Sequence, residues 1–390
     1  MPRISAKNPL FILVYLASFF YSFHYALPIY IESSFISQFL STEKTIGLLF
    51  SIAAVFSAIF TFLFPRILRR FGNYKATLTA MGLEIITLLV LAFFTTPAII
   101  IPVFILHQTL ASVIFLNFDS FVEAFSVDEA TGGIRGVFMT VLNIAFVVAP
   151  FLAGLMLTDH DFWKVYLAGA VFMAFSFIVI AVNFKNNINP AYVIPPFKDT
   201  FRVVSDSHDI HSIIYAHFLL ALFYSWMVIY VPLYLNQHIG ISMNVILGVI
   251  TPIALLPFVL FEVILGKIAD THLCEKEILT AGFIIMAVST IGISYVTTAS
   301  VALWAILLFI TRTGASMVEV TTESYFFKQV SASDMHLITF MRTIRTIAGV
   351  MGPLLGFILL SFMEFQNLFL VLGVILLTAL PYALTIRDTK

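Results

Sequence analysis

The stretch Leu27-Pro28-Ile29-Tyr30-Ile31-Glu32 returns as Val231-Pro232-Leu233-Tyr234-Leu235-Asn236, half a chain length later. Three further pairs of segments follow at a similar spacing: 65–69 with 266–270, 119–123 with 319–323, and 149–153 with 352–356. The same order of motifs in both halves indicates an internal duplication. The sequence therefore predicts two halves that share one fold.

The composition places this chain in a membrane. Hydrophobic residues make up 61% of it and charged residues 11%, and the mean hydropathy is +1.04, values outside the range of soluble globular domains. With 20 Lys+Arg against 21 Asp+Glu, the charge balance argues against a nucleic-acid partner. The single cysteine, Cys274, excludes an intramolecular disulfide and a multi-thiolate metal site. We expect no metal and no cofactor.

A membrane-spanning helix needs about 20 apolar residues, and the chain contains twelve apolar runs of about that length or longer. They lie at 8–36, 46–66, 76–96, 98–125, 134–157, 162–184, 211–236, 244–266, 278–297, 300–328, 336–361 and 366–386. We predict an all-α integral membrane protein with twelve transmembrane helices in two pseudo-symmetric six-helix bundles, 1–184 and 211–390, joined by a cytoplasmic linker, 185–210. Two parallel halves that bracket a site are typical of transporters.

The basic residues fix the predicted orientation, because cytoplasmic loops are enriched in Lys and Arg. Only Lys44 and Lys164 fall on the side opposite to all the others that flank the spans. Those others are Arg3, Lys7, Arg66, Arg69, Arg70, Lys75, Arg135, Lys185, Lys198, Arg202, Lys267, Lys276, Lys328, Arg387 and Lys390. We therefore expect both termini in the cytoplasm and the protein in a bacterial inner membrane.

The loop after the second span of each half carries the most specific motif. Its second-half copy keeps Gly266, Asp270 and Lys276, and its first-half copy keeps Arg70, Gly72 and Lys75. In these residues the chain resembles the major facilitator superfamily, whose loop reads Gly-x-x-x-Asp-Arg/Lys-x-Gly-x-Arg/Lys-Arg/Lys. The first-half copy departs from it, with proline for the glycine and arginine for the acid. The resemblance covers all twelve spans, and it assigns Asp270 to a latch that locks one state.

The resemblance implies a function. Members of the family move small organic solutes by alternating access and are not enzymes, and their spans one, four, seven and ten line a central cavity. We expect a monomer that is coupled to protons; one form that such a transporter can take is an efflux antiporter for amphipathic compounds. The alternative is an uptake symporter or facilitator for an organic anion or a sugar. A non-transporting receptor or sensor on the same fold is the alternative of another class.

Small residues surround a proline in spans five and eleven. Span five has Ala149-Pro150-x-x-Ala153-Gly154, a remnant of the family's antiporter motif, and span eleven has the sequence Gly349-x-x-Gly352-Pro353-x-x-Gly356. Such residues let helices approach closely in lipid, and proline bends a helix. The sequence leaves two roles open for these residues, close helix packing and a hinge.

Charged and polar groups inside the spans each require a reason, because an unpaired charge in a bilayer is costly. Span four carries Gln108, Ser112, Asp119 and Glu123 on one face, and span ten carries Arg312, Ser316, Glu319 and Glu323 on a matching face. Residues three or four apart share a helix face. Both faces are expected to look into the family's central cavity.

Depth in the membrane predicts which charges pair. Glu319 lies level with Arg345, and Glu323 with Arg342. Asp119 has no such partner in span five, which makes it the first candidate for carrying a proton; alternatively, it bonds Asn143 and supports packing.

Several other residues are weaker candidates. His24, Glu32 and His217 are further candidates for proton coupling, and Tyr25 and Tyr224 for contact with a substrate in the cavity. Glu84 lies in span three, which the family places peripherally, so it is interpreted as structural.

Overall fold

The computed structural model describes residues 9–125, 131–157, 161–185, 204–261, 275–329 and 335–387, and the regular structure in them is helical. The first half contains α1 (Pro9–Ala26), α2 (Glu32–Ile36), α3 (Glu43–Phe71), α4 (Asn73–Phe93), α5 (Pro97–Phe125), α6 (Thr131–Met156) and α7 (Phe162–Asn183). The second half contains α8 (His208–Gln237), α9 (Met243–Val245), a π-helical turn (Ile246–Ile250), α10 (Thr251–Leu260), α11 (Glu275–Ile293), α12 (Val301–Gln329), α13 (Met335–Leu359), α14 (Asn367–Leu377) and α15 (Leu380–Thr385).

The helices match the predicted membrane spans. Within the described residues, ten helical segments are long and apolar enough to cross a bilayer. Two shorter apolar segments, Ile12–Ala26 and Ile144–Met156, fall where the sequence predicts the first and fifth spans. The all-α multi-span fold class is therefore confirmed.

The chain divides into two compact units. The first comprises Met1–Phe39 with Ile52–Tyr192, and the second comprises Leu40–Ser51 with Val193–Lys390. In the first unit α1 packs against α6 and α7, and α4 packs against α5 and α7. In the second unit α8 packs against α13, and α11 lies between α12 and α14. The first unit thus brings α1, α4 and α5 together around its interior.

Glycine allows a close helix contact in the second unit. A Cβ atom on Gly314 of α12 would lie 2.5 Å from the backbone nitrogen of Met286 and 2.7 Å from the carbonyl oxygen of Gly282, both in α11. Backbone cannot yield as a flexible side chain can, so this site excludes any larger residue. Close approach through small residues is a principal source of helix association in lipid.

The glycines of span eleven take part in packing. Trp226 of α8 donates a hydrogen bond to the carbonyl oxygen of Gly352 at 2.5 Å, and Tyr230 donates one to the carbonyl oxygen of Pro353 at 3.2 Å. A Cβ atom on Gly356 would overlap the Tyr230 ring, whereas one on Gly349 would meet nothing within 4 Å. Two polar aromatic side chains of α8 therefore dock directly on the backbone of α13.

The loop glycine of the first half has a backbone reason. Gly72 precedes α4 and has a φ of 78°, in the left-handed region that glycine tolerates best. It permits α4 to begin immediately after α3 ends.

Candidate functional site

The first unit encloses a cluster of charged side chains centred on Glu84 of α4. Glu84 has no solvent exposure. Its Oε1 atom lies 2.7 Å from Nε2 of His24 in α1 and 2.6 Å from Nδ1 of His107 in α5. The hydroxyl of Thr87 lies 3.0 Å from the other carboxylate oxygen, Oε2. One buried carboxylate therefore holds three helices together.

A second acid completes the cluster. Glu32 begins α2 and is 2% exposed. Its Oε1 atom lies 3.2 Å from Nε2 of His107, and its Oε2 atom accepts a hydrogen bond of 2.5 Å from the amide of Gln108. His107 thus bridges both carboxylates through its two ring nitrogens. We call His24, Glu32, Glu84 and His107 the Glu84 cluster.

Pro28 explains how Glu32 reaches this position. Proline lacks an amide hydrogen, so it cannot bond the carbonyl of His24 four residues earlier. The helix α1 ends at Ala26, a turn follows, and α2 starts at Glu32. The repeated motif therefore starts just after α1 and ends in α2, whose first residue, Glu32, contacts α5.

The remaining nitrogen of His24 settles where one proton lies. Its Nδ1 atom is 3.0 Å from the carbonyl oxygen of Tyr21. A carbonyl oxygen only accepts hydrogen bonds, so Nδ1 carries a hydrogen. The hydroxyl of Tyr21 donates to the carbonyl oxygen of Ala111 at 2.7 Å, which fixes α1 against α5 next to the cluster.

The hydrogen bonds determine how many protons the Glu84 cluster needs. One proton lies between His24 and the Tyr21 carbonyl, and one is required in each of the three imidazole–carboxylate contacts. Two histidines and two glutamates are together neutral when they hold four protons. Loss of one proton leaves a net negative charge in this buried site. It also leaves two lone pairs that face each other, and both effects are costly.

The same atoms meet the first requirement of a metal site. One ligand atom each from His24, Glu84 and His107 lies within 4.8 Å of the others. Around a tetrahedral zinc ion, neighbouring ligand atoms are about 3.3 Å apart, as the metal–ligand lengths require. The contacts of 2.6 and 2.7 Å are shorter and are those of hydrogen bonds. The geometry fits protons better than a metal.

The second unit contains a buried arginine. Arg312 of α12 is 5% exposed. Its guanidinium carbon lies 5.1 Å from the centre of the Phe223 ring and 5.6 Å from that of Tyr224, both in α8. Within the described part of the chain, Arg312 forms no ion pair. Its guanidinium instead lies over two aromatic rings.

Glu319, two turns further along α12, is already engaged. Its Oε2 atom accepts a hydrogen bond of 2.6 Å from the Tyr224 hydroxyl, and its Oε1 atom lies 3.8 Å from a guanidinium nitrogen of Arg345. The predicted pairing of Glu319 with Arg345 is confirmed. Glu323 and Arg342 are both exposed, and their mutual pairing stays a prediction.

The other candidates have varied surroundings. His217 is 5% exposed, and its buried Nδ1 atom has no hydrogen-bond partner in the described part of the chain. Tyr25 is half-buried and meets the ring of Phe146 edge-on at 5.9 Å. Ser112 is exposed and bonds back to the carbonyl oxygen of Gln108 at 2.9 Å. Of the residues predicted for the cavity, Gln108 contacts the Glu84 cluster, through its hydrogen bond to Glu32.

Three predicted residues lie outside the part that can be described. Asp119 and Glu123 fall in α5, but their side chains are beyond the described residues, as is all of Asp270. Sequence reasoning missed His107 altogether and assigned Glu84 a structural role. The available signal was the presence of two histidines among the four acids of the first four predicted spans.

Comparison with known proteins decides the family. The profile of the Major Facilitator Superfamily matches residues 12–335. The chain belongs to this superfamily. No curated protein sequence matches it significantly.

Solved structures of superfamily transporters share its fold. An auto-inhibited peptide transporter of the POT family has a TM-score of 0.78 at 12% identity, with 98% of each chain covered. A bacterial homologue of the human lysosomal transporter Spinster, inward-facing and unoccupied, scores 0.77 at 10% identity, with 97% of each covered. The nucleoside transporter NupG scores 0.72 at 13% identity, covering 96% of this chain and 99% of that one. At these identities the likeness establishes the fold alone.

Proposed function

We propose that this superfamily member is a proton-coupled secondary active transporter of a small organic solute, and that the Glu84 cluster carries the coupled proton. The fold and family support transport over an enzymatic role. The distribution of basic residues supports an inner-membrane location with both termini in the cytoplasm. The observation that carries the proposal is one carboxylate oxygen, Oε1 of Glu84, shared by two imidazoles at 2.6 and 2.7 Å.

This arrangement links protonation to helix position. The cluster joins α1, α4 and α5 through side chains alone, and its hydrogen bonds are complete only with four protons. Any movement of α1 relative to α4 separates His24 from Glu84 and changes how tightly the protons are held. Conversely, removal of a proton weakens the contacts that hold the helices together. Linkage of this kind is reciprocal.

Infrared spectroscopy tests the proton-carrying role without a known substrate. The difference spectrum of the purified protein between acidic and alkaline buffer should contain a carboxyl band that is absent in Glu84→Gln. Glu364→Gln is the matched control, because Glu364 is exposed and bonds only Gln366 at 3.0 Å among the described contacts. A carboxyl band unaltered by both Glu84→Gln and Glu32→Gln would overturn the role of the cluster.

Asp119 is the competing carrier. The sequence singles it out as an intramembrane acid without a counter-charge in span five. If it carries the proton, Asp119→Asn removes the carboxyl band and abolishes proton-driven accumulation, while Glu84→Gln leaves both intact. The two variants therefore separate the two proposals.

A further inference from the structure

Among the described residues, the buried arginine of the second unit has no anionic partner. A guanidinium has five N–H donors and a permanent charge. Arg312 is 5% exposed, and its contacts in the described residues are the rings of Phe223 and Tyr224. A buried charge without a counter-charge is strongly destabilising. We infer that Arg312 binds the anionic group of the transported solute, which is a small organic anion with an apolar body.

The nearby acid does not serve Arg312. Glu319 binds the Tyr224 hydroxyl at 2.6 Å and lies 3.8 Å from Arg345. In the part of the chain that the structure describes, its ion pair is with Arg345, and it forms none with Arg312. Two arginines and one glutamate leave one positive charge over, which suits a single carboxylate. The inference rests on the proposed transport function and refines its solute.

The geometry of the site favours a planar anion. The guanidinium carbon lies 5.1 and 5.6 Å from the centres of the two rings, and the N–H groups that do not face the rings can form paired bonds with a carboxylate. Phe258 meets Tyr224 at 6.0 Å and extends the aromatic wall. An apolar body attached to the carboxylate would contact this wall.

A second unsatisfied polar atom lies along the same helix. His217 and Tyr224 are seven residues apart in α8 and so share a face. The Nδ1 atom of His217 is buried and has no hydrogen-bond partner among the described residues. The face of α8 that carries the aromatic residues thus presents a free polar group as well as the arginine contact.

An anionic solute also explains the need for a proton. An anion that enters a cell with a negative interior moves against the membrane potential. A proton that moves with each monovalent anion cancels the transported charge. The pair of sites therefore predicts an electroneutral proton–anion symporter, the uptake alternative that the sequence left open.

Matched ligand pairs test the class of solute. We would measure the melting temperature of the purified protein with acetate and acetamide, benzoate and benzamide, and octanoate and octanamide, and with benzylamine as a cation. We expect at least one carboxylate to stabilise the protein more than its amide, with benzoate or octanoate ahead of acetate. Benzylamine should have no such effect. If every amide raised the melting temperature as much as its carboxylate, or if only benzylamine raised it, the inference would be overturned.

Variants assign the effect to Arg312. Hydrogen bonds to charged groups contribute about 1.5–3 kcal/mol, so Arg312→Gln should weaken binding of the best carboxylate roughly ten- to hundredfold. Arg342→Gln, in an exposed residue of α13, is the matched control and should bind normally. Arg312→Lys keeps the charge and serves if the glutamine variant does not fold. If Arg312→Gln, or Arg312→Lys in its place, bound the carboxylate as tightly as wild type does, the anion would bind elsewhere.

The assay also separates this inference from proton coupling. Ligand binding at equilibrium requires no proton gradient, so Glu84→Gln, whose affinity can change through coupling to the proton site, should still prefer the carboxylate to its amide. Carboxylate selectivity with an unaltered infrared spectrum in Glu84→Gln would sustain the anion site and refute the proton carrier. The reverse pattern would sustain the carrier and refute the anion site.

Discussion

The Nδ1 atom of His107 lies 2.6 Å from Oε1 of Glu84, with both side chains fully buried. The second ring nitrogen of His107 contacts Glu32 at 3.2 Å. One imidazole therefore separates two acids that would otherwise repel each other in a buried site. This makes His107 the residue on which the electrostatic balance of the first unit depends.

Removal of His107 should destabilise the protein, and more so at alkaline pH. His107→Ala leaves two buried carboxylates without their shared cation, and breaking a buried ion pair costs about 3–5 kcal/mol. At low pH, protonation of the carboxylates removes the repulsion, so the loss should shrink. Thermal unfolding of both proteins across a range of pH measures this.

His208→Ala supplies the control for that experiment, because the side chain of His208 is 60% exposed. It should unfold as wild type does at every pH. If the loss in His107→Ala were independent of pH, the effect would come from a cavity and not from charge.

The exposed ion pair of the second unit should contribute little to stability. The side chain of Arg345 is 56% exposed and lies 3.8 Å from Glu319, and exposed pairs contribute about 0–1 kcal/mol. Reversal of both charges, Glu319→Arg with Arg345→Glu, should restore what the ion pair contributes, but not the hydrogen bond that Glu319 accepts from Tyr224. A double-mutant cycle from thermal unfolding gives the coupling energy. A coupling well above this range would mean that the pair is shielded from water.

Gly356 and Gly349 form a matched pair for the contact between α8 and α13. Gly356→Ala inserts a methyl group into the Tyr230 ring, and overpacking costs about 1–3 kcal/mol. Gly349→Ala meets nothing within 4 Å and should be neutral or slightly stabilising, because alanine favours a helix by about 1 kcal/mol over glycine. Comparable melting temperatures for the two variants would show that the contact yields without strain.

Much of the architecture was predictable from the sequence. The hydrophobic runs give the spans because each must cross the same bilayer thickness, and distance from the membrane surface was enough to pair Glu319 with Arg345. Depth does not specify which way a residue faces around its helix axis. The contact of Glu84 with His24 and His107 depends on that rotation in α1, α4 and α5, and it could not be obtained from spacing within a single span.

Pro28 illustrates the same limit. The repeated motif marks the end of the first span in the sequence. It does not reveal that the chain turns there and starts a separate short helix, which carries Glu32 to His107. Only the packing of α2 beside α5 makes these two residues neighbours.

Proton-driven accumulation by Glu84→Gln tests the central claim most directly. In proteoliposomes with an imposed pH gradient, wild type and Glu364→Gln should concentrate a carboxylate that the binding assay has identified. Glu84→Gln should lose this accumulation, because glutamine keeps the size of the side chain but cannot take up a proton. It should still exchange labelled for unlabelled solute across the membrane. Accumulation by Glu84→Gln equal to that of wild type would contradict the account.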